Sequence, residues 1–230
     1  MKICTWNSRG NKFQDCCIST FLTENNIDIL CIQECGNIDY LTEKTWRLYK
    51  RGNYQANRTP YHLIYYPWNW GGRCNLAMLV KAEIEIKDIY VNKAQLLYDA
   101  QGNELNGYQW GNPHIRNMLT AELKYNGMEF TVNNVHLPSG CPAFARKVGY
   151  RLFCNYFSRS RSNVFTLGDF NTTPDTWILQ RPFSISAPNH NTHTGGKILD
   201  YMITNDYKQY NATIYNDNFD SDHYPVWFDI

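Results

Sequence analysis

The stretch that decides the fold is KICTWNSRGNKFQDCCISTFLTENNIDILCIQE, residues 2–34. Residues 2–7 predict a first strand, and residues 12–26 carry apolar side chains at helical spacing. Residues 27–34 form a continuous apolar run, as expected of a strand that is covered on both faces. Strand, helix and strand within about 30 residues predict a βαβ unit whose two strands are parallel.

The rest of the chain predicts mainly strands. Strand-like runs occupy residues 61–66, 73–80, 83–91, 115–123, 128–137, 163–170, 198–204, 211–215 and 224–230, the last three completing the sheet. Helices are predicted at residues 142–158, from an apolar stripe, and at 174–179, where Pro174 lies in the first turn. Residues 92–114 are rich in Asn, Gln and Gly and predict a loop. No repeat or linker appears, so we predict one domain, residues 1–230, with two packed sheets and helices outside them.

The composition is that of a globular protein, with 43% hydrophobic and 19% charged residues and a net charge of +1. A net charge this small argues against binding nucleic acid through a broad basic surface. A nucleic-acid role would therefore depend on a local group of arginines. The candidates are Arg9, Arg73, Arg116, Arg151, Arg159 and Arg161.

The eight cysteines include no CxxC pair, so neither a zinc ribbon nor a thioredoxin-like motif is indicated. Cys4 and Cys31 fall in strand-like apolar runs, where a thiol packs as a small hydrophobe. A chain of this size does not need disulfides to stabilise it, so we expect reduced thiols. No apolar run approaches the ~20 residues of a membrane span. Met1 is followed at once by a strand, so no signal peptide is expected in this chain.

Polar side chains stand at the ends of the predicted strands. They are Asn7, Glu34, His136, Asp169, Asn171, Asp200, Asp222 and His223. Taken singly, most have a structural explanation as turn residues, caps or buried histidines. Asp200 lies among apolar neighbours, where an unpaired carboxylate is costly. As a set, their oxygens suit Mg²⁺ or Mn²⁺ and their imidazoles suit a phosphate that gains negative charge, which predicts metal-dependent chemistry on a phosphate ester.

Short motifs support this interpretation through a resemblance. They are TWN (5–7), IQE (32–34), GDFN (168–171), LDY (199–201) and SDHYPV (221–226). In this order they resemble the endonuclease/exonuclease/phosphatase superfamily, whose fold is the deoxyribonuclease I-like one. With GGRCNLAMLV (71–80), the chain is similar to the catalytic B subunits of cytolethal distending toxins. The resemblance implies an α/β fold, a four-layer αββα sandwich, and metal-dependent cleavage of a phosphodiester.

The resemblance also implies roles for individual side chains. Those implied to be catalytic are His136, Asp169, Asn171, Asp200 and His223. Those implied to hold the metal are Glu34, Asn7 and Asp222. Those implied to bind phosphate or DNA are Arg116, Arg9 and Arg73, of which Arg9 stands where the toxin subunits carry a neutral polar residue. The implied cofactor is Mg²⁺, with Mn²⁺ or Ca²⁺ as alternatives.

Within the catalytic set, Asp169 is expected to orient or deprotonate the attacking water, and Asn171 to hold the phosphate and that aspartate. His223 is expected to polarise a phosphate oxygen, while Asp200 accepts the other ring N–H and fixes the tautomer. His136 is expected on the opposite side of the phosphate. The related deoxyribonucleases have a carboxylate partner for this histidine, and the sequence offers no obvious one in residues 60–70.

Three functions remain open from the sequence. The first is a DNA-nicking toxin subunit, carried by partner chains into a host cell and acting in its nucleus. The second is a phosphatase for phosphoinositides or other small molecules, which the small net charge fits better because DNA binding needs several basic contacts. The third is a non-catalytic domain that binds a partner. Without a leader in the chain, a cytoplasmic location is the alternative to secretion.

Overall fold

Two β-sheets pack face to face in the computed structural model, which describes residues 1–10, 15–45, 48–67, 75–94, 116–137, 139, 163–179 and 183–230. The elements are β1 Lys2–Asn7, α1 Asp15–Glu24, β2 Ile29–Gln33, β3 Thr42–Thr45, β4 Lys50–Ala56, β5 Thr59–Tyr66, β6 Leu76–Lys81, β7 Glu85–Ala94, β8 Arg116–Tyr125, β9 Met128–His136, β10 Asn163–Asp169, β11 Ser184–Ser186, β12 Asp200–Thr204, β13 Ala212–Ile214 and β14 Val226–Asp229. The first sheet has the order β13-β14-β1-β2-β6-β5-β4-β3, and the second has the order β11-β12-β10-β9-β8-β7.

The βαβ unit predicted at residues 2–34 is confirmed. Strands β1 and β2 are parallel neighbours in the first sheet, and α1 is the crossover between them. Ile18, Phe21 and Leu22 on α1 pack with Trp6 and Leu30 from the outer face of that sheet. The helical spacing in the sequence therefore marks the side of α1 that the sheet covers.

The main core lies between the two sheets. Ile3 and Met78 of the first sheet share it with Val132 and Leu167 of the second. Polar groups also cross this core: the side-chain amide of Asn134 donates to the carbonyl oxygens of Ile32 (3.0 Å) and Ala77 (2.8 Å). A buried amide that is satisfied in this way fixes how the sheets are placed against each other.

Three strands of the second sheet end in register beside one another. Asp169 of β10 is paired with His136 of the parallel strand β9 and with Asp200 of the antiparallel strand β12. Gly168 makes this pairing possible, because a Cβ atom there would lie 1.9 Å from the carbonyl oxygen of Val135. The glycine of GDFN is thus required by the close approach of β9.

Some expectations about the elements are wrong or incomplete. Strand β12 belongs to the second sheet, whereas β13 and β14 belong to the first, so the last three strands do not complete one sheet. Residues 174–179 contain only a 3₁₀ turn, Pro174–Thr176, because the chain is extended again at Trp177. Strands β3, β4 and β11 were not predicted.

Other expectations fall partly or wholly outside the described residues. The helix predicted at 142–158 lies entirely outside them. Of the loop predicted at 92–114, the first three residues belong to β7 and the others lie outside. Among the described residues, no helix is long and apolar enough to cross a membrane.

Candidate active site

The candidate site lies where the apolar inner faces of the sheets end in polar side chains. Along β10, Phe165 and Leu167 face the intersheet core, and the period of two places Asp169 on the same face. The same alternation applies to His136 on β9 and Asp200 on β12, since both are in register with Asp169. All three side chains are buried, with Asp200 fully enclosed. The strand pattern alone therefore gathers three titratable groups at one end of the core.

Asp169 is the centre of this group. Its carboxylate accepts hydrogen bonds from the side-chain amide of Asn7 (3.0 Å), from the backbone N–H of Asn171 (2.8 Å) and from the side-chain amide of Asn171 (3.1 Å). Asn171 has a φ of 51°, a conformation that asparagine tolerates better than most residues. Burial raises the pKa of Asp169 to about 7, even though His223 and the hydrogen bonds lower it. Asp169 is thus a rigidly held carboxyl group that can exchange a proton near neutral pH.

Glu34 and His136 lie on one side of Asp169. Glu34 follows β2 with a φ of 50°, and its Oε1 lies 3.3 Å from Nδ2 of Asn7 and 3.7 Å from Nε2 of His136. The same His136 nitrogen lies 3.6 Å from Oδ2 of Asp169. Among the described residues, Nε2 of His136 therefore has two carboxylate neighbours, and neither comes from residues 60–66. The two carboxylates converge on the same amide and the same imidazole.

Asn7 contacts this group through its nitrogen, whereas the sequence predicted a metal ligand. Its Nδ2 donates to Glu34 and to Asp169, and its Oδ1 accepts the backbone N–H of Arg9 at 3.0 Å. In this geometry Asn7 positions the two carboxylates. Ser221 in turn donates to the carbonyl oxygen of Asn7 at 2.7 Å, which ties the end of β1 to the segment that carries His223.

His223 and Asp200 form the other side. Nδ1 of His223 lies 2.8 Å from Oδ2 of Asp200, which accepts the hydrogen bond, and Nε2 lies 3.7 Å from Oδ2 of Asp169. Burial alone would lower the pKa of His223, but the neighbouring carboxylates of Asp200 and Asp169 outweigh it and raise the pKa to about 10. The structure therefore places an imidazolium against the central carboxylate, with its ring orientation fixed by the hydrogen bond from Nδ1 to Asp200.

Asp222 lies on the solvent side of this group. Its side chain is 34% exposed, 3.8 Å from Nε of Arg9 and 3.8 Å from Nε2 of His193. The adjacent His223 side chain is buried, so these two neighbouring side chains lie at different depths of the site. The side chains of Arg116, which begins β8, and of Arg73 lie outside the described residues.

His193 is a site residue that sequence reasoning missed. Its backbone pairs with that of His223, and the two imidazoles meet edge to face with ring centroids 4.6 Å apart. Burial lowers the pKa of His193, and His223 lowers it further. The signal that could have found it is Gly195–Gly196 close behind it, which indicates a tight turn before LDY.

The donor set fits a hard divalent cation. Glu34 and Asp169 offer carboxylate oxygens that converge, and such ligands suit Mg²⁺. Two further groups bring nitrogen and oxygen atoms within 4.8 Å of one another: Asp169, Asp200 and His223, and His193, Asp222 and His223. In the first of these, Nδ1 of His223 is already bound to Asp200. Glu34, beside Asp169 rather than bound to a histidine nitrogen at hydrogen-bond distance, is therefore the better candidate ligand.

A sequence profile settles the family. The profile described as Endonuclease/Exonuclease/phosphatase family matches residues 4–223, nearly the whole chain. This chain belongs to the endonuclease/exonuclease/phosphatase family. The three activities in that description share the hydrolysis of a phosphate ester, and the buried carboxylate and imidazolium groups described above suit that chemistry.

Individual members of the family confirm the resemblance to cytolethal distending toxins. The chain is 26% identical over 248 residues to a homolog of the B component of cytolethal distending toxin from Salmonella typhi, covering 99% of this chain and 88% of that protein. The structure superposes on the cytolethal distending toxin of Haemophilus ducreyi with a TM-score of 0.71 and 20% identity, covering 99% of this chain and 96% of that one. For the toxin of Actinobacillus actinomycetemcomitans the TM-score is 0.70, with 20% identity and coverage of 99% and 97%. The predicted α/β sandwich is thereby confirmed.

Proposed function

We propose that this chain is a divalent-metal-dependent phosphodiesterase that nicks DNA, and that residues 1–230 act as one catalytic domain. The observation that carries the proposal is the placement of Asp169. It lies between Glu34 and His136 on one side and the His223–Asp200 pair on the other. A metal ligand, a general base and a phosphate-binding cation are thus within reach of one another.

Asp169 is the proposed general base. A base works best when its pKa lies near the working pH, and burial brings that of Asp169 to about 7. The amides of Asn7 and Asn171 hold its carboxylate, so little reorganisation is needed when it takes a proton from water. In this scheme Asn171 also binds a phosphate oxygen.

His223 is the proposed phosphate-binding cation. Its Nδ1 is held by Asp200, so Nε2 is left to donate to a non-bridging oxygen as negative charge develops there. His136 lies across Asp169 from His223, in contact range of Glu34, and would supply a second donor on that side. Asp200 acts through His223 and is not proposed to contact the substrate.

Glu34, with Asp169 beside it, is the proposed site for Mg²⁺, and Mn²⁺ or Ca²⁺ are alternatives. Asp222 is proposed as an additional ligand, and Asn7 positions the carboxylates. When bound, the cation supplies Lewis-acid polarisation of a phosphate oxygen. The chain itself holds the carboxylates of Glu34 and Asp169 close together and shields them from bulk water.

DNA is the proposed substrate because relatives of this chain are named as cytolethal distending toxins, whose catalytic B subunits the sequence motifs resemble. The side chain of Arg9 is 64% exposed and lies beside Asp222 on the solvent side of the site, a rim from which it can contact the DNA backbone. Arg116 and Arg73 are proposed to extend that rim. We further propose delivery by partner chains of a toxin complex and action in a host-cell nucleus, with a cytoplasmic role as the alternative.

Nicking of supercoiled plasmid by the purified protein tests the proposal. Mg²⁺ should support nicking, EDTA should abolish it, and Asp169→Asn should lower the rate by ~10²-fold or more. Asp206→Asn is the matched control, because Asp206 follows the other end of β12 and bonds only within that region. Nicking that persists at the wild-type rate in Asp169→Asn would overturn the assignment.

A phosphatase acting on phosphoinositides or other small molecules is the second candidate, and the net charge of +1 favours it. A DNA enzyme gains affinity by releasing counterions through several basic contacts, whereas a small phosphate ester needs few. Release of inorganic phosphate from phosphoinositide vesicles, measured beside plasmid nicking under the same conditions, separates the two. Release without nicking would favour the phosphatase.

A further inference from the structure

We infer that His193 is a substrate-binding residue that donates a hydrogen bond from Nε2–H to the same phosphate that His223 binds. The inference rests on the proposed function, and it adds a specific residue that the motifs do not contain. Its basis is the way residues 192–197 hold this one imidazole at the mouth of the site.

The local backbone is built around His193. Its carbonyl oxygen accepts the N–H of Gly196 (3.0 Å), and its own N–H donates to the carbonyl oxygen of Lys197 (3.1 Å). On either side, the backbone N–H groups of Thr194 and Tyr224 form hydrogen bonds between this loop and the segment that contains His223, each at 2.8 Å. The position of the ring relative to His223 is thus fixed by backbone hydrogen bonds, which is what a preorganised donor requires.

Gly195 determines which nitrogen carries the proton. Its backbone N–H donates to Nδ1 of His193 at 2.8 Å, so Nδ1 is the acceptor and the proton of the neutral ring lies on Nε2. A Cβ atom at position 195 would lie 2.7 Å from Nδ1, so glycine is needed for this contact. The turn therefore selects an Nε2–H donor.

Nε2 of His193 faces the site. It lies 3.8 Å from Oδ2 of Asp222, too far for a hydrogen bond. A nitrogen of His193, a nitrogen of His223 and an oxygen of Asp222 all lie within 4.8 Å of one another. Donors at this spacing can reach two oxygens of a single phosphate, whereas phosphates that flank it along a nucleic acid are farther away.

His193 is also reachable from solvent. It lines a cavity of about 460 Å³ together with Asn189, His190, Asn191 and Tyr224. This cavity leaves room for the group attached to the scissile phosphate. A buried structural histidine would have no such opening, and its removal would affect stability more than substrate binding.

Two substitutions at His193 distinguish loss of the hydrogen-bond donor from loss of the aromatic ring. His193→Phe keeps an aromatic edge against His223 but has no donor, and His193→Gln restores an N–H near Nε2. We expect His193→Phe to lower kcat/KM by about 10- to 100-fold, as for a lost bond to a charged group, and His193→Gln to recover most of the loss. The matched control is His62→Phe on β5, where His62 pairs with Val80 at the end of the first sheet away from Glu34; it should stay within about 2-fold of wild type.

Two substrates tell whether the contact is to the scissile phosphate. Supercoiled plasmid has flanking phosphates, whereas bis(4-nitrophenyl) phosphate has only the one that is cleaved. If His193→Phe lowers kcat/KM by the same factor on both substrates, the inference is supported. A loss confined to plasmid, wild-type activity in His193→Phe, or no recovery in His193→Gln would each overturn it.

A binding measurement keeps the inference separate from the proposed function. In EDTA, inorganic phosphate is titrated into ¹⁵N-histidine-labelled protein, and the imidazole signals are followed by NMR. The His193 Nε2 signal should shift with the His223 signals, and His193→Phe should weaken phosphate binding by about 10-fold or more. Binding of this kind in a protein that cleaves no ester would refute the proposed function and leave the inference standing. An unmoved His193 signal would refute the inference itself.

Discussion

Replacing Asp200 by asparagine tests the proposed role of the His223 imidazolium most directly. Asp200 is fully buried, and its Oδ2 accepts the Nδ1 hydrogen bond of His223 at 2.8 Å. The substitution keeps the volume of the side chain and removes its charge. It therefore changes the protonation of His223 without opening a cavity in the core.

Two losses contribute to the expected effect. A hydrogen bond to a charged group contributes about 1.5–3 kcal/mol, so losing it lowers the rate by ~10- to 150-fold. The second loss depends on pH. Wild-type His223, with a pKa of about 10, is protonated at pH 8. Without Asp200, the larger of the carboxylate contributions that raise it, the pKa falls toward the ordinary value of ~6.5, at which only ~3% of the ring would be protonated at pH 8; the limit of this second loss is therefore ~30-fold.

The sign of the pH dependence follows from these values. A cation that loses its carboxylate partner deprotonates at lower pH, so the deficit of Asp200→Asn grows as the pH rises from 6 to 8. The assay is kcat/KM for bis(4-nitrophenyl) phosphate across that range, with Asp206→Asn as control and circular dichroism to establish folding. A deficit that is constant with pH, or no deficit in a folded variant, would refute the imidazolium role.

Three further predictions concern the strand junction, the metal and the thiols. Gly168→Ala should lower the free energy of unfolding by ~3 kcal/mol or more, because its Cβ would meet the carbonyl oxygen of Val135 at 1.9 Å; an unchanged urea midpoint would contradict this. EDTA should abolish ester hydrolysis and excess Mg²⁺ should restore it, so full activity in EDTA would exclude the metal site. Burial raises the pKa of the Cys31 and Cys35 thiols well above the usual value, so both should resist iodoacetamide at pH 8 while the half-buried Cys17 reacts. Peptide mass spectrometry measures the labelling of each thiol, and faster labelling of Cys31 or Cys35 than of Cys17 would contradict the prediction.

Most of the fold could be predicted from the sequence because its strands are strongly apolar. Residues 2–7, 29–33 and 163–169 are runs whose side chains are nearly all buried, and such runs are easily recognised. Strand β4, by contrast, alternates buried with exposed residues and contains Gly52 in its interior, so its pattern is weaker. The assignment of the C-terminal strands to two different sheets depends on long-range pairing, which local patterns do not contain.

Those residues of the site that lie at the ends of predicted strands could be found from the sequence. His136, Asp169 and Asp200 lie together because period-two alternation and register bring them to one face, and His223, from the segment before β14, joins them through its hydrogen bond to Asp200. The direction of the Asn7 amide could not be predicted, since it depends on which neighbours surround each atom. His193 is harder to predict, because a histidine in a polar loop has no periodicity to distinguish it from solvent-exposed residues, and the Gly195–Gly196 pair behind it indicates a turn but not what the turn holds.

The bridge from Asn134 to the carbonyl oxygens of Ile32 and Ala77 has a further consequence. Glu34 follows a strand of one sheet and Asp169 ends a strand of the other, so the distance between metal ligand and base depends on how the two sheets are spaced. A single added methyl group deep in the sandwich, for instance Val132→Ile, can then spread the two reactive groups apart and slow turnover, and the overpacking should lower the melting temperature as well. When the catalytic groups come from two packed sheets, buried residues that never contact the substrate can change the reaction rate by changing how the sheets are spaced.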